Sequence, residues 1–238
     1  MVNSYIALDL EMTGLNPKLD KMIEIGAVQV INGKIENVFE SLINPGRPLS
    51  EEIIRLTGIT NEMLKKAKTQ EEICPKLYEF LEGFVLLGHG LRFDYSFLKK
   101  YAVNADIWYE AEGIDTLKLA RKFMAGTESN RLSDLCTYFG IKHRAHRALS
   151  DALSAHELYQ RFLGDFYNEE NKDCFRPVKL SYAVKKEQPA TKRQMDNLQT
   201  LLGFHGLCPE YEITSMTKNE ISRYTDKIIL QYGRMKCK

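Results

Sequence analysis

The sequence predicts an α/β fold: a mixed sheet flanked by helices, with a small helical unit at the carboxyl end. Three observations predict it. The chain opens with three β-rich apolar runs, the second and third joined by a hairpin signal. Strand-like and helical segments then alternate, as they do in mixed sheets. Beyond a polar, proline-containing stretch the pattern becomes purely helical.

Residues 4–10 (SYIALDL) form a short apolar run ending in an acid, which reads as a buried strand. Residues 22–30 (MIEIGAVQV) and 35–43 (IENVFESLI) are two further strands, and Asn32-Gly33 between them is a strong turn signal. Ser50-Glu51-Glu52-Ile53 resembles a helix N-cap followed by first-turn acids. Thr69 caps a helix over 70–82, with Ile73, Leu77, Phe80 and Leu81 at helical spacing. Residues 84–88 (FVLLG) read as a buried strand, followed by a helix at 93–101. Residues 114–124 and 131–139 are amphipathic, and 147–163 carry Leu149, Ala152, Leu153, Ala155, Leu158 and Phe162 along one face. The expected division is a main domain over 1–167, a linker over 168–190 containing KKEQPA, and a helical accessory unit over 191–238 with helices at 191–203 and 217–231.

With 238 residues, 44% hydrophobic and 27% charged, the chain has the composition of a globular protein with a proper core. No run approaches the roughly 20 apolar residues that cross a bilayer, and Asp9 interrupts the first apolar run, so a cytoplasmic location without membrane partners is expected. The five cysteines are odd in number and lack a CxxC pair, which argues against a disulfide framework and a structural zinc site. The net charge of +1 conceals an asymmetry. Residues 179–238 hold 11 Lys or Arg against 6 Asp or Glu, and residues 1–178 hold 22 against 26. An acidic catalytic part with a basic tail suits an enzyme that must hold a polyanion, and a solvated tail explains the same numbers.

The chemistry-bearing residues fall in three blocks. Asp9 and Glu11 end the first strand, where a spacing of two puts both carboxylates on one side. Thr13-Gly14-Leu15 follows as a turn whose backbone N–H groups can approach a phosphate or base. Asp94, behind Phe93, falls in the first turn of a helix, a place that also suits a purely dipole-stabilising acid. Asp151 falls on a helix with His146 on the loop ahead of it, so a rigid carboxylate accompanies an imidazole able to take a proton from water. His143 competes for that role, and His89 fits a core or loop histidine better. Hard divalent cations need several converging oxygen ligands, and these blocks supply four.

Together, DLEMTGLNP at 9–17, FDYSFL at 93–98 and HRALSDA at 146–152 resemble the DEDD 3′–5′ exonuclease superfamily, in the subgroup whose fifth residue is histidine. IEIGAV at 23–28, LTGIT at 56–60 and IDTLKLAR at 114–121 are secondary echoes. The likeness is to the proofreading type of bacterial replicative polymerases and spans about residues 3–165. It implies a ribonuclease-H-like five-stranded mixed sheet, and two Mg²⁺ or Mn²⁺ ions bound by Asp9, Glu11, Asp94 and Asp151. It also implies His146 as general base, with Thr13, Gly14, Leu15, Thr57 and Phe93 touching the substrate. Two departures stand out: Gly90-Leu91 replaces the family's usual Asn-Ala, and Thr57 stands where the epsilon type has histidine. Asp115, in a familiar stretch, fits a loop–helix organiser better than a ligand. The implied activity is metal-dependent release of nucleoside monophosphates from DNA 3′ ends, single-stranded or frayed, in proofreading or repair. An RNA 3′ exonuclease is the alternative, and a non-catalytic nucleic-acid-binding scaffold a third. A polymerase or repair protein is the expected partner of the carboxyl-terminal unit.

Overall fold

The computed structural model describes residues 1–209 and 212–235. These form two compact units, one of Met1–Pro45 and Leu49–Val184, the other of Gly46–Pro48 and Lys185–Lys238.

The first unit begins as a meander of β1 (Tyr5–Met12), β2 (Met22–Ile31) and β3 (Lys34–Asn44), antiparallel throughout. Asn32 and Gly33 take φ of 50° and 79°, the positive values that a two-residue hairpin requires at both central positions. Two short helices follow, α1 (Glu51–Thr57) and α2 (Asn61–Lys65), then β4 (Lys68–Thr69) parallel to the end of β3. The chain continues through α3 (Gln70–Leu81), β5 (Leu86–Gly88), α4 (Leu91–Asn104) and β6 (Glu112–Asp115). Next come α5 (Thr116–Phe123), α6 (Leu132–Phe139) and α7 (Ala148–Phe166), and finally β7 (Val178–Lys179). β5 is parallel to β1 and β6 to β5, while β7 is antiparallel to β6.

The strand order is β4-β3-β2-β1-β5-β6-β7. Its five central strands are the mixed five-stranded sheet expected, and the two-residue strands β4 and β7 extend it at each edge. β6 escapes a periodicity reading because Ile114 is its only large apolar residue and α5 follows it directly.

The expected linker over 168–190 is corrected from both sides. Phe175, in a 3-10 turn at Lys172–Phe175, is buried in the core beneath α5 and α7, and Val178–Lys179 join the sheet. Further on, Pro189 bridges Thr217, and Lys218 N–H donates to the Gln188 carbonyl at 2.9 Å, so these residues belong to the second unit. Phe175, Val178 and Pro189 stand in stretches without periodicity, so their packing is a tertiary property.

The pleat of β1 decides where the acids go. Ile6, Leu8 and Leu10 face a core with α3 and α4, whereas Tyr5 and Ala7 face one with α5, α6 and α7. Asp9 and Glu11 continue the Tyr5–Ala7 row, on the side covered by α7.

The second unit contains α8 (Lys192–Phe204) and α9 (Lys218–Tyr232), each opened by a capping box, Thr191 with Gln194 and Thr217 with Glu220. Leu198, Leu201, Leu202, Ile221, Tyr224 and Ile228 form its core.

Candidate active site

β1, α4 and α7 supply the carboxylates, and close packing of α7 on the sheet brings them together. Asp9 pairs with Gly26 across β1 and β2. A Cβ at Gly26 would lie 2.1 Å from the backbone nitrogen of Leu149, so only glycine lets the first turn of α7 approach this closely. Arg147, the N-cap residue of α7, makes no side-chain cap. Buried Glu24 caps from across the sheet instead, accepting from Ala148 N–H at 3.0 Å and from the Arg147 guanidinium at 2.8 and 3.1 Å. This clamp fixes Asp151 over β1.

Ligand atoms of Asp9, Glu11 and Asp151 all lie within 4.8 Å of one another. Asp94, in the first turn of α4, is buried and lies outside that trio. It is nonetheless the leading charged neighbour of Asp9. Burial pushes the Asp9 carboxyl well above the usual carboxylate range, and Asp94, Asp151, Glu11 and Glu24 push it further. Glu11 rises to about 8, first by burial, then through Asp151 and Glu24, with Arg147 opposing. Asp94 is raised by burial, with Asp115 and Glu11 adding. Carboxyls pushed up in this way by burial and by one another lack countercharge, and their donors are all oxygen. That combination fits hard divalent cations such as magnesium or manganese.

Both histidines of the third block meet Asp151, by different routes. His143 Nε2 contacts Asp151 Oδ1 directly, and both side chains are nearly buried. His146 donates its backbone N–H to Asp151 Oδ2 at 3.0 Å while its side chain is exposed. Its φ of 62° lies in the left-handed region, an uncommon conformation for a residue with a Cβ. The two histidines, Asp9 and Asp151 line one cavity of about 690 Å³.

Arg121, Asn130 and Arg131 line the same cavity and were missed in the sequence. Arg121 sits at the end of an amphipathic helix where a basic residue is ordinary, and Asn130-Arg131 precede α6 without any periodic signal. The side-chain oxygen of Asn130 is buried without a hydrogen-bond partner. His89 lines this wall too, held by the Thr116 hydroxyl at 3.0 Å and the Asn130 carbonyl at 2.8 Å, and burial lowers its pKa. Asp115 caps α5 by accepting from Leu117 N–H at 3.0 Å and steadies the turn before α4 by accepting from Gly90 N–H at 2.8 Å.

The expected substrate-contacting residues divide. Thr13 donates its hydroxyl to Asp20 at 3.0 Å and accepts from Lys21 N–H at 3.1 Å, and Gly14 packs so tightly on Asp20 that a Cβ would sit 2.6 Å from its carboxylate. Leu15, at 84% exposed, projects from the loop these contacts shape. Phe93 stands beside Asp94, half-buried, edge-to-face on Phe97 at 5.4 Å. Thr57 is buried at the end of α1, its hydroxyl donating to the Ile53 carbonyl at 2.9 Å and accepting from Ile59 N–H at 3.0 Å. That hydroxyl closes a helix end and organises the following turn.

A family model described as an exonuclease of RNase T type matches residues 6–159. The chain is 39% identical over 161 residues to a PolC-type DNA polymerase III of Caldanaerobacter subterraneus, covering 67% of this chain and 11% of that protein. It is 34% identical over 176 residues to the DNA polymerase III epsilon subunit of Aquifex aeolicus, covering 69% of this chain and 87% of the subunit. The PolC-type protein of Pediococcus pentosaceus is 30% identical over 241 residues, covering 95% of this chain and 17% of that protein, so the likeness runs into the second unit as well. The chain thus spans between a tenth and a fifth of the polymerases it matches. Among solved structures, the nuclease domain of 3′hExo, a DEDDh family member bound to rAMP, superposes with a TM-score of 0.62 at 21% identity, covering 75% of this chain and 98% of that domain.

Proposed function

This chain belongs to the RNase T-type exonuclease family, and from that premise we propose that it is a 3′–5′ exonuclease of DEDDh type that removes nucleoside monophosphates from single-stranded or frayed DNA ends. The observation that carries this reading is the convergence of Asp9, Glu11 and Asp151 within 4.8 Å, with Asp9 and Asp151 lining a cavity that also presents imidazoles and guanidiniums. An epsilon subunit of a DNA polymerase III, covered over 87% of its length, supports DNA as substrate and DNA synthesis as setting.

Asp9, Glu11 and Asp151, with Asp94 behind them, are the residues that hold divalent cations in this reading. When bound, such cations neutralise the cluster and the substrate phosphate and make the attacking water more acidic. His146, exposed at the mouth of the cavity, takes the proton from that water as its oxygen bonds to phosphorus. The bond from phosphorus to the 3′ oxygen breaks, and that oxygen takes up a proton as the shortened strand leaves. His143 holds Asp151 in place, which makes it a positioning residue. Arg121 and Arg131 present guanidiniums to phosphate oxygens, and Leu15 and Phe93 contact the terminal bases. The second unit, with its excess of basic residues, is the part we assign to contact with a polymerase or repair protein.

The test is an assay of end-labelled single-stranded DNA and RNA of one sequence, with magnesium or with a chelator. DNA shortened stepwise from its 3′ end, only with the cation, is expected. Faster loss of RNA would replace DNA by RNA as substrate, and no shortening of either would overturn the assignment.

A further inference from the structure

A second cavity, of about 980 Å³, lies at the other end of the parallel strands. Val85, just ahead of β5, and Glu112, the first residue of β6, line it, whereas the far ends of those strands lead to Gly90 and Asp115 beside the carboxylates. Its floor is apolar, with Tyr78, Leu81, Phe84 and Ile107. Five glutamates, Glu71, Glu79, Glu82, Glu110 and Glu112, rim it, and no lysine or arginine lines it. Glu110 is met by Lys99 at 2.8 Å and Lys179 at 3.7 Å. Among the described residues the other four make no ion pair.

Two features are unexplained by the domain's own packing. Trp108, the sole tryptophan, stands at the cavity 86% exposed, with the Lys99 ammonium over its face 5.5 Å from the ring centroid. The hydroxyl of Tyr109, in the cavity wall, is buried with no hydrogen-bond partner. An apolar floor with Phe84 and Ile107 half-buried, an exposed indole face and four glutamates without ion pairs describe a binding surface with a definite sign.

We propose that this cavity docks a cationic segment of another protein, one whose lysines or arginines meet the glutamate rim while an apolar side chain seats on the floor beside Trp108. The sign excludes nucleic acid, which the rim repels. The indole face suits a guanidinium or ammonium, and the floor suits a leucine or phenylalanine anchor. Because the surface lies at the opposite end of the strands, its occupancy leaves the catalytic cavity free.

Trp108 makes the test direct. The full chain is titrated, in magnesium, with a synthetic peptide of lysines and arginines carrying a central Leu-Phe pair, and tryptophan emission is followed. A saturable blue shift is expected, weakened when the pair is replaced by Gly-Ser. Reversing two exposed rim charges, Glu79→Lys with Glu82→Lys, is expected to weaken binding about tenfold or more at low salt. The same variant is expected to hydrolyse DNA at an undiminished rate. No emission change, or equal binding by the charge-reversed protein, would overturn the proposal, the latter by showing that the peptide binds elsewhere, such as the catalytic acids.

Discussion

Replacing Glu11 by glutamine is expected to stabilise the metal-free protein at pH 8 while abolishing hydrolysis. Folding raises the Glu11 carboxyl from about 4.5 to about 8, through burial and then through Asp151 and Glu24. Between those values the native state keeps a proton that the unfolded chain has released. Stability from this group is therefore complete below about pH 4.5 and lost as pH rises to about 8. At roughly 1.4 kcal/mol per pH unit, that interval corresponds to about 5 kcal/mol. It is an upper bound, because Asp9 and Asp94 share the same repulsion. For a unit of this size that bound amounts to roughly 10–20 °C in Tm. Thermal unfolding by circular dichroism, at pH 5 and pH 8 with a chelator or with magnesium, reads it. The metal-free wild type is expected to melt lower at pH 8, and Glu11→Gln to flatten that difference. Magnesium is expected to restore the wild type at pH 8 and to act less at pH 5, where Glu11 holds its proton. Equal pH dependence in wild type and variant, with no response to magnesium, would refute the account of an uncompensated, cation-binding cluster.

Three further outcomes are expected. Gly26→Ala forces a Cβ to within 2.1 Å of the α7 backbone, so activity should fall at least tenfold with a loss of about 1–3 kcal/mol in urea unfolding, whereas tolerance of the change would show that α7 shifts freely. His146→Ala is expected to lower kcat by about 10²-fold near neutral pH and to remove the acid limb of the pH–rate profile, while His143→Ala keeps that limb and lowers activity at every pH; the reverse pattern in the profiles would exchange the two roles. Glu24→Gln leaves the Arg147 guanidinium without its buried partner and should destabilise by about 3–5 kcal/mol while weakening magnesium binding, measured by unfolding and calorimetry.

Much of this was legible in the chain because it is local. The Asn32-Gly33 hairpin, the capped helices of the second unit and the amphipathic stripe of α7 each declare themselves within a dozen residues. The alternation along β1 placed Asp9 and Glu11 on a common side, and the blocks around Asp94 and Asp151 carried the family resemblance. What stayed hidden depends on partners distant in sequence. The Glu24 clamp on Arg147 joins residues from opposite ends of the unit, and β6 is held by its neighbours more than by its own composition. His143 and His146 are indistinguishable by residue type, and only the turn of the chain between them decides which ring meets Asp151. Thr57 illustrates the converse: its motif suggests a substrate contact, and its hydroxyl serves the backbone.

The order in which the cluster's members leave the ribosome has a bearing on safety. Asp9 and Glu11 are made first, and Asp151 arrives only as α7 is completed, docked by Glu24 and admitted by Gly26. A half-made chain therefore exposes acids with no complement, and the cluster is completed in a single late step, when α7 settles.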